Sequence, residues 1–232
     1  MRTHLTRPAV LAASLVAAGT LLAVPGTAQA SSPSSPSPSA SAENEKAGAG
    51  HGLKNFQERH GLPRTGTVDR DTAKALDRAP DAELRRTFRT AADLGPEELA
   101  NARTVIGVGK GAGIPEQGQV IALMTAMQES KFVNYLTPVD HDSLGIFQQR
   151  PSTGWGTPEQ ITDVPTSSKS FYGVADFGSN PGLIQIAGWE TMAPGDVCQA
   201  VQVSAYPDRY AQWEQFARDL LAQEGPTVPP IS

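Results

Sequence analysis

The sequence predicts a mainly α-helical protein, and three observations carry that expectation. Between Gly118 and Ser130, Val120, Leu123, Met124 and Met127 recur at i, i+3, i+4 and i+7, the spacing of one helix face. Two upstream runs repeat the pattern, with Leu84, Phe88 and Ala91 in one and Leu99, Ala102, Val105, Ile106 and Gly109 in the other. Breaks fall at Gly95-Pro96, Pro151 and Pro207, where the proline ring and its missing N–H stop a helix or suit its first turn. With 232 residues, 39% hydrophobic and 19% charged, the chain can bury one real core and one small further domain.

At the amino end, Arg2 and Arg7 precede the apolar run Ala9 to Val24, and Ala28-Gln29-Ala30 is a small-residue cleavage site. This predicts a secretory signal peptide over residues 1–30. The run holds Ser, Gly and Thr and ends at Pro25, against a retained membrane anchor. No Cys follows the cleavage site and no Arg-Arg pair precedes the run, so general secretion fits better than a lipoprotein or the twin-arginine route. Cleavage would take away two of the 19 Lys and Arg and none of the 24 Asp and Glu, leaving a formal charge of −7. Without a basic stripe, neither nucleic acid nor an anionic membrane surface is an expected partner. Cys198 is the only cysteine, so the monomer has no disulfide despite an oxidising destination. Helical spacing of Val197, Ala200, Val201 and Ser204 around it points to a buried, inert thiol.

Residues 31–50 are rich in Ser, Pro, Ala and Gly, too poor in apolar side chains to order themselves, and read as a flexible linker. Residues 51–80 change character. A helix is expected from about Leu53 to Arg59, then a Gly61-Leu62-Pro63 turn, then a second helix through Leu76 capped by Asp69 or Asp71. Phe56-Gln57, His60-Gly61-Leu62, Gly66-Thr67-Val68-Asp69 and Thr72 to Leu76 resemble the last third of the common peptidoglycan-binding domain. The linker stands where that domain has its first helical portion. The expectation is therefore a docked or degraded module rather than an active binder.

Asp81 to Leu94 and Pro96 to about Ala112 read as two further helices. The glycine-rich tract Gly107 to Gly113 is not a phosphate loop, because Lys110 is followed by Gly111 rather than Ser or Thr. Close helix packing explains it better. In the next helix, Gly118, Ala122, Thr125 and Ala126 make a face of small residues, and at about 100° per residue Glu129 falls over Gly118 and Ala122. A carboxyl group beside apolar neighbours loses hydration and its pKa rises, which suits a general acid working near neutral pH. The plainer reading is a solvated helix end.

Residues 143–151, SLGIFQQRP, form a Gly-containing apolar turn that stops at Pro151. Glu129-Ser130 followed sixteen residues later by Gly145-Ile146-Phe147-Gln148 resembles the signature of lysozyme-like lytic transglycosylases. The resemblance continues through Phe171-Tyr172 and Ala200 to Tyr210 and covers roughly residues 97–221. It implies a lysozyme-like domain over 96–224, with the short helical module of 51–80 and a connecting helix over 81–95 before it and a tail over 225–232 after it. It implies peptidoglycan glycan strands as partner, no cofactor and no metal. Glu129 would act as acid, then base, on the bond between N-acetylmuramic acid and N-acetylglucosamine. Ser130, Gly145, Phe147 and Gln148 would line the substrate cleft. The sugar's own C6 hydroxyl would close an anhydro ring, so no second acid is needed. The family's Tyr-Asn-x-Gly motif is absent. In its place stands Ser204-Ala205-Tyr206-Pro207-Asp208-Arg209-Tyr210, where Tyr206 is the candidate for the hydroxyl beside the catalytic Glu.

Asp140-His141-Asp142 leaves three readings open: a metal site lacking a third ligand cluster, a second catalytic carboxylate at Asp142, or a polar turn capping the next segment. Two-carboxylate hydrolysis needs acids about 5–9.5 Å apart. Trp155, between glycines, is either a platform for a sugar ring or a core plug. Helices are expected over Val164 to Phe177, over Leu183 to Met192 with Trp189 packed, and over Cys198 to Leu221 with a break at Pro207. The resulting expectation is a secreted or wall-associated, monomeric peptidoglycan-cleaving protein. A non-catalytic wall binder with a degenerate cleft is the alternative. A Cys–His wall peptidase has its Cys before its His, whereas His4, His51, His60 and His141 all precede Cys198 here. If the leader is cleaved as predicted, protein recovered from culture medium begins at Ser31 by amino-terminal sequencing. An intact Met1 terminus there would overturn it.

Overall fold

A computed structural model describes residues 50–138 and 141–232. The signal peptide of 1–30 and all of the linker except Gly50 lie outside the described residues. Nine helices order the described chain: α1 (His51–Arg59), α2 (Arg70–Arg78), α3 (Asp81–Thr87), α4 (Pro96–Gly111), α5 (Glu116–Ser130), α6 (Pro158–Thr162), α7 (Val164–Tyr172), α8 (Pro194–Gln202) and α9 (Glu214–Glu224). The protein is mainly helical. Among the described residues the only strand-like pairing is an isolated bridge between Leu144 and Gln149. No described helix is long and apolar enough to cross a membrane.

Helix α5 sits at the centre, packed by α4, α7, α8 and α9. Every residue from Gly118 to Met127 is buried, so the i, i+3, i+4 spacing marks only part of a helix that is enclosed all round. Its small face is what lets neighbours in. A Cβ on Gly118 would stand 2.5 Å from Ile114 Cγ2 and 3.0 Å from Leu183 Cδ2. The glycines of α4 work the same way. A side chain at Gly109 would meet the Tyr172 hydroxyl at 2.8 Å, and one at Gly111 would meet the Ile231 carbonyl at 1.9 Å. The expected tail therefore docks on α4. Ile231 N–H donates to Gly107 O at 2.8 Å, and Lys110 Nζ donates to the carbonyls of Gly225 and Val228.

The amino-terminal segment shares this core, with Leu53, Phe56, Leu76, Leu84 and Phe88 in one hydrophobic cluster with α4 and α5. Its organising residue is Gln57, which is buried. Gln57 Nε2 donates to Thr65 Oγ1, Thr67 O and Thr72 Oγ1 at 3.0, 2.9 and 3.1 Å, and Gln57 Oε1 accepts from Gly66 N–H at 2.9 Å. The network fixes the loop that feeds α2. Asp69 then caps α2, accepting from Thr72 N–H at 2.7 Å, which settles the choice between Asp69 and Asp71.

Four helix expectations differ from the structure, each for a local reason. The helix expected over 81–94 stops at Thr87, because the Asp93 carboxylate takes the N–H groups of Arg89 and Thr90 and starts a 3-10 turn at Ala91–Asp93. The helix expected to Phe177 ends at Tyr172, where Gly173 turns left-handed at φ 83°. Over 183–192 only Leu183–Gln185 is helical, a 3-10 turn. Gln185 there accepts from Gly182 N–H and donates to Gly173 O, competing with a continued ladder. The helix expected from Cys198 is α8, which starts at Pro194 and ends at Gln202. Two 3-10 turns, Pro207–Arg209 and Ala211–Trp213, separate it from α9. Cys198 is buried as expected, and burial pushes its thiol up to about 12.

Truncating the hub of the amino-terminal network strands the buried Thr72 hydroxyl and the buried Gly66 N–H at once. Gln57→Ala is expected to lose about 2 kcal/mol in urea unfolding, whereas truncation of the exposed Glu58 is expected to lose little.

Candidate active site

The C-terminal turn of α5 delivers Glu129 into a cleft of about 790 Å³, within the usual range of about 300–1,000 Å³ for ligand sites. The side chain keeps a partial opening to solvent. Tyr210 Oη donates to Glu129 Oε1 at 2.5 Å. Burial pushes the Glu129 carboxyl above its ordinary range, while hydrogen bonds from Tyr210 and Gln202 and the charge of Lys131 pull it partly back. The negative end of the α5 dipole also disfavours a charge there. The arrangement favours a carboxylic acid that holds its proton to higher pH than usual.

Ser130 explains why Glu-Ser and Gly-x-x-Gln occur together. It is buried, and its Oγ donates to Ile146 O at 2.7 Å, tying the 145–148 turn to the end of α5. Gly145 opens that turn at φ 70°, with its N–H on Tyr135 O at 2.9 Å. A Cβ at this position would lie 2.4 Å from Ile161 O, so only glycine fits. Phe147 is buried and stacks on Phe171, centroids 4.6 Å apart, while its carbonyl accepts from Gln202 Nε2 at 2.7 Å. Gln148 is the member of the turn that lines the cleft, with its Nε2 on Gly145 O at 2.9 Å. Ser130 and Phe147, expected to touch substrate, therefore build the cleft wall from behind, and Gly145 shapes it.

Trp155 reaches the cleft but is only 7% exposed, so it is a core plug that shows an edge rather than an open platform. Tyr206 does not reach Glu129. It is 66% exposed on the cleft rim, with the Arg209 guanidinium 5.9 Å from its ring centroid. The hydroxyl on Glu129 belongs to Tyr210, one short 3-10 turn further on.

Asp142 is spent elsewhere. Its Oδ1 accepts from Arg150 Nε at 2.6 Å and its Oδ2 from Ser152 N–H at 2.8 Å. These bonds hold the carboxyl well below the usual range. Asp142 is not among the described residues lining the cleft, although its neighbours His141 and Ser143 are. Among the described residues, the capping-turn reading of this segment accounts for the contacts Asp142 makes with Arg150 and Ser152. Asp140 lies outside the described residues, among which no metal-binding cluster of His, Cys, Asp and Glu is found.

Sequence reasoning missed Gln202, Lys131, Leu76 and Asp77, all on the cleft wall. It also missed a backbone signal. Among the described residues five non-glycine residues have positive φ, and four of them, Lys131, His141, Gln148 and Val203, line this one cleft. Left-handed backbone costs most for a β-branched residue such as Val203, and such strain persists only where the surroundings enforce it, commonly at functional sites. Neither a family model nor a curated protein matches the chain.

Val203 is 78% exposed, so truncating it forfeits little packing. Val203→Gly is expected to stabilise the protein by about 1 kcal/mol by relieving its φ of 51°. Thermal unfolding checks this, and an unchanged midpoint would show that the residue is not strained.

Proposed function

We propose that the protein is an exported peptidoglycan-cleaving enzyme of lysozyme-like type, with Glu129 as its single catalytic acid and base. The observation that carries the reading is a carboxyl group made more basic by burial, held by Tyr210, and open to a cleft of substrate size. Protonated Glu129 donates to the leaving glycosidic oxygen as the C–O bond breaks. The resulting carboxylate then takes the proton from the attacking hydroxyl, the sugar's own at C6, which closes the anhydro ring. Tyr210 keeps one carboxyl oxygen fixed through both steps, and the other carries the proton. Gln148 and Gln202 offer polar contacts along the same wall. The engagement of Asp142 with Arg150 and Ser152 favours this single-acid course over a two-carboxylate hydrolysis through Asp142.

Glu129→Gln keeps the shape and still accepts from Tyr210 but cannot ionise. Muropeptide release is expected to fall by at least ~10²–10⁴-fold, whereas Asp142→Asn should stay within about tenfold of wild type, well short of a lost acid–base group. Mass spectrometry should find anhydro rather than reducing ends. Because the acid must be protonated at the outset, release should decline as pH rises through the raised Glu129 value. Stability follows the same sign. A carboxyl whose folded pKa is raised stabilises the fold below the ordinary carboxylate range, and that contribution is lost as pH rises through the folded value. Glu129→Gln should therefore be no less stable than wild type at neutral pH. Wild-type release by the Gln variant would end the enzymatic reading and leave a glycan-binding cleft.

A further inference from the structure

The amino-terminal segment supplies a wall of the cleft rather than a separate module. Leu76 and Asp77, in the last turns of α2, line the same cavity as Glu129 and Lys131. The carboxy-terminal stretch holds the segment there. Arg209, on the cleft rim, donates through Nε to Asp81 Oδ1 at 3.0 Å, and Arg85 Nη1 donates to Gln212 Oε1 at 2.9 Å. Gln212 Nε2 in turn reaches Gln128 Oε1 at 3.2 Å, next to Glu129 in the chain. The Gln57 network fixes the loop entering α2, so the position of Asp77 is set by buried contacts although its own side chain is exposed.

Two groups of opposite chemistry line this cleft. Asp77 offers a carboxylate, which only accepts hydrogen bonds. Lys131 offers an ammonium, which only donates them. Lys131 is the C-cap of α5, left-handed at φ 57°, with its Nζ on the Gln128 carbonyl at 3.2 Å and two more donor positions on the same nitrogen. Burial pushes the Lys131 ammonium down, and among the neighbouring charges Asp77 does most to hold it up, with Glu129 also helping. Lys131 thus senses both carboxylates. The neighbours acting on Glu129 are Tyr210, Gln202 and Lys131, with Asp77 not among them.

An acceptor and a donor on the lining of one cleft suit a ligand group that carries both an N–H and a C=O. Resting on the glycan-cleaving reading above, we propose that Asp77 and Lys131 form a subsite for the acetamido group of an N-acetylated sugar, making the amino-terminal segment a specificity element of the cleft. Asp77 accepts from the acetamido N–H and Lys131 donates to its carbonyl oxygen. A sugar with a hydroxyl in place of the acetamido group offers no carbonyl to Lys131.

The test uses the full chain and two soluble probes, the N-acetylglucosamine β-1,4 tetramer and the glucose β-1,4 tetramer, titrated by calorimetry. Asp77 is exposed, so Asp77→Asn should fold as wild type does. Wild type is expected to prefer the acetylated tetramer. Asp77→Asn should weaken that binding by about tenfold, the scale of one hydrogen bond to a charged group, and leave the glucose tetramer unchanged. On peptidoglycan the same variant should raise KM with kcat unchanged. Equal losses for both tetramers, no loss for either, or no wild-type binding of the acetylated tetramer would overturn the proposal. A fall in kcat at unchanged KM would also overturn it, since Asp77 would then be acting in the chemistry. Because the titrations need no turnover, they remain decisive in Glu129→Gln. A wild-type protein that binds the acetylated tetramer but releases no muropeptides would refute the catalytic reading alone.

Discussion

The enclosure of helix α5 is the constraint on which the rest depends. With every side from Gly118 to Met127 packed, this helix can present polar chemistry only at its ends. Its C-terminal end carries Gln128, Glu129, Ser130 and Lys131, and each has a distinct task. Gln128 Oε1 accepts from Trp213 Nε1 at 2.9 Å and from Gln212, fixing the approach of the carboxy-terminal helices. Ser130 ties down the Gly145 turn. Glu129 and Lys131 face the cleft, beside Gln128. The burial that makes α5 a stable anchor is also what removes water from Glu129 and raises its pKa. Stability and chemistry here have one cause.

Dense packing also explains how the amino-terminal segment relates to the site. Its resemblance to a wall-binding domain rests on residues such as Phe56, Gln57 and Asp69. In the structure these are a core side chain, a buried hydrogen-bond hub and a helix cap. Such roles specify how a short helical hairpin folds and carry no information about what it binds. About thirty residues have too little interior to stand alone. Packing of α1 against α3 and the 3-10 turn at Ala91–Asp93 supplies the missing core, and α2 contributes residues to the lining of the cleft.

Much of this was legible in the sequence, for identifiable reasons. Long periodic runs gave α4 and α5 nearly to the residue; proline and glycine punctuate both ends of α4, and Pro115 marks the start of α5. Glu129 stood out because a carboxyl group ends an apolar run. Gly145 stood out because a glycine in an apolar turn implies backbone no other residue adopts. The shorter helices were misread where a side chain took over backbone hydrogen bonds, as Asp93 and Gln185 do. Periodicity does not register that competition. Lys131 and Asp77 were invisible as a pair, since they lie far apart in the chain and neither belongs to a motif. Left-handed backbone at Gln148, Lys131 and Val203 leaves no trace in residue type at all.

The path of the backbone decides that Tyr210, and not Tyr206, serves Glu129. Both tyrosines lie in one short stretch and both carry the same hydroxyl. Val203 turns left-handed at the end of α8, and Pro207 starts a 3-10 turn four residues later. Between them the chain runs along the rim, which leaves Tyr206 exposed beside Arg209. The 3-10 turn then carries the next residues inward, and Tyr210 arrives buried with its hydroxyl on Glu129. The distinction is set by where the backbone changes direction. A buried tyrosine whose hydroxyl has a carboxyl partner satisfies both groups, whereas an exposed one has water to bond with and no need of Glu129. The same rule that decides which polar groups go inside therefore also decides which tyrosine serves the site.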